Sequence, residues 1–140
     1  MAVKFQLVID CTDPGRLCSF WTAALGYELE PVPAGFATWD DYWRDVGVPE
    51  EELGGGPDRI RDPDGAGPAI WFQVVPEGKT IKNRLHIDLD PDDQAAEVAR
   101  ILALGAQPAG VGQGDAPWVV LADPEGNEFC VLQPHNSLID

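Results

Sequence analysis

The sequence predicts an α+β domain in which one strand–helix–strand grammar is written twice. Three observations predict it. "VKFQLVID" followed by "DPGRLCSFWTAALG" reads as a strand and then a helix, and "NRLHIDLD" followed by "PDDQAAEVARILALG" repeats the order. Both helices close on the same pair, Leu25-Gly26 and Leu104-Gly105. Beyond them, "RDPDG" at Arg61 to Gly65 and "ADPEG" at Ala122 to Gly126 each lead into an apolar run, "PAIWFQVVP" and "NEFCVLQP".

Each element follows from local chemistry. The first strand covers Val3 to Asp10 and feeds a helix capped by Asp13, with Pro14 at its first position. Leu17, Phe20, Trp21 and Ala24 recur at helical spacing, and Gly26 ends the stripe. In the second copy Asp90 and Pro91 take the opening roles, Ala95, Val98, Ala99 and Leu102 form the stripe, and Gly105 closes it. Asp-Pro-acid-Gly is hairpin chemistry: Pro sets φ at the second position and Gly supplies φ > 0. Each half is thus a strand, a helix and two or three further strands. The first half carries an insertion, residues 36–56, read as a short helix ending in the glycine hinge Gly54 to Gly56. It is a loop over a pocket or a surface decoration. The boundaries are one domain over 1–140, with module one at 1–79 and module two at 80–140.

Composition narrows the partners. With 140 residues and 44% hydrophobic content, the chain is sized for one core. Its formal charge of −15 repels phosphate backbones and anionic lipid, which argues against nucleic acid and membrane partners. No apolar run reaches the length of a membrane span, and Lys4 and Asp10 interrupt any signal-peptide core. Cys11, Cys18 and Cys130 lack finger-type spacing and fit reduced thiols, so a cytoplasmic location is expected. In the insertion, Trp39, Tyr42 and Trp43 are interleaved with Asp40, Asp41, Asp45 and Glu50 to Glu52. Such a segment is either a solvated helix or a lure for a cationic ligand.

His86 is the residue on which enzyme chemistry turns. It lies among Arg84, Asp88 and Asp90, on the side of the strand opposite Leu85, Ile87 and Leu89. Its imidazole can serve as a metal ligand, a base or a hydrogen-bonding group. As a plain polar residue it could be satisfied by a neighbouring carboxylate. Asp88 lies on the same face, roughly 6–7 Å along the strand. That spacing allows direct contact only where the side chains lean together and otherwise leaves each to water or ligand. His135, after Pro134, is expected to face solvent, and Lys79, Lys82 and Arg84 read as a solvated basic linker or a hold on an anion. No nucleophile elbow or phosphate-binding glycine loop is present.

"DCTDPGRLCSFWTAALGYE", "FQVVPEGKTIKNRLHIDL" and "VLADPEGNEFCVL" together resemble the vicinal oxygen chelate superfamily, the glyoxalase/bleomycin resistance/dioxygenase fold, and within it the glyoxalase-like branch. The fold this implies is two βαβββ modules forming cupped mixed sheets. The resemblance also implies ligand positions on the first and last strands of the modules. They fall on Gln6, seven residues before Asp13, on His86, and on Cys130, seven after Asp123. The fourth lies near Phe72 or Gln73. Cys130 stands where metalloenzymes of the superfamily usually keep a glutamate, which disfavours hard cations. A divalent Zn, Ni, Co or Fe ion could take His86 and Cys130, with Gln6 weak and Glu128 as a further donor.

Two functions follow. One is a small-molecule binder similar to bleomycin-resistance proteins, without a tightly held metal. Its wall is drawn from Gln6, His86, Trp39, Tyr42, Trp43, Phe72, Trp118 and Glu128. The other is a metal-dependent lyase or isomerase acting on adjacent oxygens, with His86 catalytic and His86 and Gln6 as ligands. A module with no ligand would instead have a filled cavity. Family resemblance and exposed strand edges imply a homodimer.

Overall fold

A computed structural model of the chain describes residues 1–112 and 114–134. His135 lies outside the described residues. The chain runs β1 (Leu7–Cys11), α1 (Pro14–Leu25), β2 (Glu28–Leu29), α2 (Trp39–Asp45), a 3₁₀ turn (Glu50–Glu52), β3 (Arg59–Arg61) and β4 (Ile70–Val74). The second half follows with β5 (Asp88–Leu89), α3 (Gln94–Ala103), β6 (Gln107–Pro108), β7 (Val119–Ala122) and β8 (Glu128–Val131). Two four-stranded mixed sheets result, ordered β1-β4-β3-β2 and β5-β8-β7-β6. In each, the first strand runs parallel to the last and the other pairings are antiparallel. No helix among the described residues is long and apolar enough to cross a membrane.

Helix α1 forms where the sequence places it. Asp13 accepts a hydrogen bond from the Arg16 N–H at 3.1 Å, Pro14 opens the first turn, and Gly26 ends the helix at φ 71°. Leu17, Phe20, Trp21 and Ala24 are all buried. Helix α3 departs from the expectation at its start. Its cap is Asp93, which accepts from the Ala96 N–H at 3.0 Å, and Asp90-Pro91 belongs to the approach to the helix. Ile101, fully buried, is the main anchor of α3 and lies outside the anticipated stripe.

One hydrophobic cluster joins both modules. Leu17, Phe20 and Trp21 of α1 meet Ile60, Ile70 and Phe72 from the first sheet and Leu121, Phe129 and Val131 from the second. Trp21 and Phe129 contact edge to face, with ring centroids 4.9 Å apart. Polar contacts reinforce the seam. The Glu125 carboxylate accepts from the Thr12 and Asp13 N–H groups at 2.6 and 2.7 Å, and Arg100 of α3 donates to the Ala23 and Ala24 carbonyls at the end of α1.

The two Asp-Pro-acid-Gly turns share a device. Asp62 accepts from the N–H groups of Asp64, Ala66 and Gly67, and Asp123 from those of Glu125 and Asn127. Asp123 does more. It is buried and also accepts from the Trp21 indole N–H at 3.0 Å, so the second turn is tied to α1.

Strand alternation separates two faces on each sheet. Ile60, Ile70 and Phe72 on one, and Leu121, Phe129 and Val131 on the other, point into the shared core. Arg59, Trp71 and Val8, paired in register, lie on the first sheet's opposite, outward face. Asp88, Cys130 and Val120 are paired on the outward face of the second.

Candidate functional site

The second sheet's outward face assembles a cluster. His86 Nε2 stands 3.0 Å from Asp88 Oδ1, so the two side chains do lean together across the strand spacing. An imidazole and a carboxylate on one face are long enough to meet by leaning along the strand. The stretch before β5 is bent at Arg84 and Leu85, and regular strand is confined to Asp88–Leu89. Cys130 pairs with Asp88 in register, and one donor atom each from His86, Asp88 and Cys130 all lie within 4.8 Å of one another.

The three groups differ in exposure. The His86 and Asp88 side chains are 43% and 41% exposed, whereas Cys130 is buried with Val120 and Leu132 in a small outward cluster. Burial raises the Cys130 thiol above its ordinary value; the Asp88 charge and hydrogen bond add to this and Lys82 opposes it. The thiol is therefore held protonated. Trp118, Val111, Val120, Leu132, Lys82 and Glu128 complete a cavity of about 510 Å³ around the cluster.

Glu128 is already engaged. It receives the Lys79 ammonium at 3.0 Å and the Asn83 N–H at 3.0 Å. Burial alone would raise its carboxyl, but these donors outweigh it and hold it below the usual carboxylate range. Lys79, an exposed residue of the loop between β4 and β5, is thus also the ion-pair partner of Glu128.

Among the described residues the first sheet carries no matching cluster. Val8 and Asp88 each lie five residues before the helix cap of their module, Asp13 and Asp93, and pair with Trp71 and Cys130 respectively. Trp71 is therefore the counterpart of Cys130, and not Phe72 or Gln73. Phe72, expected in the ligand wall, is 1% exposed and packs in the core. Gln6 precedes β1 and is exposed. A larger cavity, about 790 Å³, opens between the two modules; its walls include Leu7 to Cys11 and Arg84 to Ile87, but not Gln6.

Trp39, Tyr42 and Trp43 form their own assembly away from His86. Trp39 stacks on Trp43 at 5.5 Å, Tyr42 packs edge-on against both, and the Arg59 guanidinium sits over Trp39, Trp43 and Trp71. Of the tryptophans, Trp118 lines the 510 Å³ cavity and Trp21 the larger one, and His86 borders both. Two residues stayed hidden in sequence: Asp88 as the contact of His86, and Arg59. The alternation of Arg59 and Arg61 around inward Ile60 was the available signal for the latter.

The glyoxalase-like domain profile matches residues 6–132. The chain belongs to the glyoxalase-like domain family. Solved structures agree at the level of fold, in the glyoxalase/bleomycin resistance/dioxygenase superfamily. A fosfomycin resistance protein of Mesorhizobium loti is similar at 11% identity and TM-score 0.60, covering 94% of this chain and 91% of that one. Glyoxalase I of Leishmania major, described as trypanothione-dependent, is similar at 12% identity and TM-score 0.58, covering 99% and 91%. An antibiotic binding protein of Streptomyces sp. CB03234 is similar at 17% identity and TM-score 0.51, covering 96% and 98%. No curated protein matches the sequence significantly.

The donor set decides which metals the cluster fits. An imidazole, a carboxylate and a thiol suit a borderline ion such as Zn²⁺, Ni²⁺, Co²⁺ or Fe²⁺, with a position left for a substrate oxygen, and do not suit Mg²⁺ or Ca²⁺. Such an ion would supply Lewis acidity. His86 and Asp88 would hold it, and Cys130 would have to lose its proton first.

Proposed function

We propose that this protein binds a small molecule in the cavity on the second sheet's outward face, without a tightly held metal. The observation that carries the reading is the internal satisfaction of the site. His86 pairs with Asp88, Glu128 with Lys79 and Asn83, and Cys130 is buried with Val120 and Leu132. Polar groups at His86 and Lys82 orient the ligand, and Trp118, Val111, Val120 and Leu132 cover its apolar body. The likeness to an antibiotic binding protein supports the same reading.

The test uses the dye 8-anilinonaphthalene-1-sulfonate together with elemental analysis. Dye emission should rise on binding, fall in Trp118→Ala, and require no added metal. A stoichiometric divalent ion that disappears in His86→Ala would overturn the reading. That outcome would favour the second one, a metal-dependent lyase or isomerase, for which the convergence of His86, Asp88 and Cys130 donor atoms speaks.

Two further readings accompany this proposal. Exposed Val3, Phe5, Ile81 and Leu85 gather on the segments leading into β1 and β5, which supports a homodimer through these edges; light scattering tests it, and a monomeric mass would exclude it. The free thiols of Cys11, Cys18 and Cys130 support a reducing, cytoplasmic setting.

A further inference from the structure

The insertion and the first sheet together surround a cation. Trp39 and Trp43 project from α2 and Trp71 from β4, and the Arg59 guanidinium lies 5.7, 5.0 and 4.7 Å from their ring centroids. Distances of this order are those at which the negative face of an indole attracts a cation. The three rings are fixed from outside the cage. Trp39 donates its indole N–H to the Glu30 carbonyl at 3.3 Å, Trp71 donates to Asp58 Oδ2 at 3.2 Å, and Trp43 is held by stacking on Trp39 with an interplanar angle of 23°.

Arg59 is an imperfect occupant. Its Nε is buried without a hydrogen-bond acceptor, and the nearby Asp58 Oδ1, at 3.4 Å, makes an ion pair without making that bond. A buried donor without an acceptor weakens the hold of the group that carries it. The α2 side of the cage lies at the surface. No residue of α2 is buried, and the insertion is bordered by Gly35, Gly54 and Gly56 at positive φ. Its aromatic side chains pack chiefly on one another and on Phe36. Asp40 and Asp45 on α2, Glu51 and Glu52 beyond it, and Asp58 at the rim give the surroundings negative charge.

We propose that Trp39, Trp43 and Trp71 form a binding cage for a flat organic cation of the guanidinium or amidinium kind, which Arg59 fills when no ligand is present. Displacement of Arg59 by the ligand swings the arginine toward solvent and leaves the three indoles in place. This site is separate from the His86 cavity and does not depend on the function proposed for it.

Benzamidine is the probe and neutral benzamide its control, followed by the indole N–H resonances of the tryptophans. Benzamidine should shift those of Trp39, Trp43 and Trp71 and leave Trp118 unmoved, while benzamide shifts none. Arg59→Met removes the internal competitor. If Arg59 occupies the cage for about nine-tenths of the time, benzamidine binding should tighten roughly tenfold in this variant. Trp43→Ala should abolish binding. No tightening in Arg59→Met, or a response at Trp118 in place of the cage, would overturn the proposal. Should Arg59→Met not fold, Arg59→Lys keeps the charge but loses the plane. Its affinity for benzamidine should exceed that of the unaltered protein, and an equal or weaker affinity would also overturn the proposal.

Discussion

The outward faces of the two sheets are built on one plan and have been put to different uses. On the first, Val8 and Trp71 occupy the positions that Asp88 and Cys130 hold on the second, and an inserted aromatic helix lies over neighbouring Arg59. On the second, no helix intervenes, and His86, Asp88 and Cys130 line an open cavity. Duplication conserves pairing and capping because the backbone imposes them. Outward side chains are free of that constraint, and that is where the copies diverge.

The turns diverge in the same way. Asp62 serves only its own hairpin, whereas Asp123 also holds Trp21 and so joins the modules. Asp123→Ala is the largest effect expected: it leaves the Trp21 indole N–H and the turn amides without their acceptor, a loss of about 3 kcal/mol. Urea unfolding measures it. A loss no greater than that of Asp62→Ala would break the contrast between the turns.

Trp118→Ala tests the contrast between faces. Removing this wall from the second cavity should weaken dye binding by about tenfold, as expected for roughly 1.4 kcal/mol of lost apolar contact. Trp71→Ala, on the first sheet, should leave dye affinity unchanged. Equal losses in both would mean that the two faces share one ligand. His86→Ala should cost less, about threefold, the scale of one exposed hydrogen bond. Calorimetric titration distinguishes these factors.

The smallest effect concerns pH. The N–H groups of Asp64, Gly67 and Ala66 hold the Asp62 carboxyl below the ordinary aspartate range. A depressed folded-state value means that its stabilisation is complete above the unfolded pKa and is lost as pH falls through the folded one. Asp62→Asn should therefore narrow the gap in urea midpoint between pH 7 and the acid range below about pH 4. An unchanged acid limb would show that the turn amides do not discriminate the carboxylate.

Much of the architecture was legible because it rests on short-range chemistry. Asp13-Pro14 and Gly26 bound α1 as their residue types imply, and Asp-Pro-acid-Gly makes a hairpin in both halves. Asp93 was overlooked because Asp90-Pro91 offers the same cap signature three residues earlier. The site was less legible, since it depends on register and on departures from regular strand. The pairing of Val8 with Trp71 sets Phe72 facing inward, and the contact of His86 with Asp88 depends on how far the two side chains lean, which alternation alone does not report. Arg59 among the indoles joins residues from three elements distant in sequence, which no local pattern reports.

The five tryptophans are distributed so that one spectrum tests the central claim. Trp21 reports the core, Trp39, Trp43 and Trp71 the first sheet's outward face, and Trp118 the second's. Indole N–H resonances recorded while 8-anilinonaphthalene-1-sulfonate is added should show Trp118 moving and the other four still. Movement confined to Trp39, Trp43 and Trp71, with Trp118 unchanged at saturation, would contradict the assignment of the ligand cavity to the His86 face.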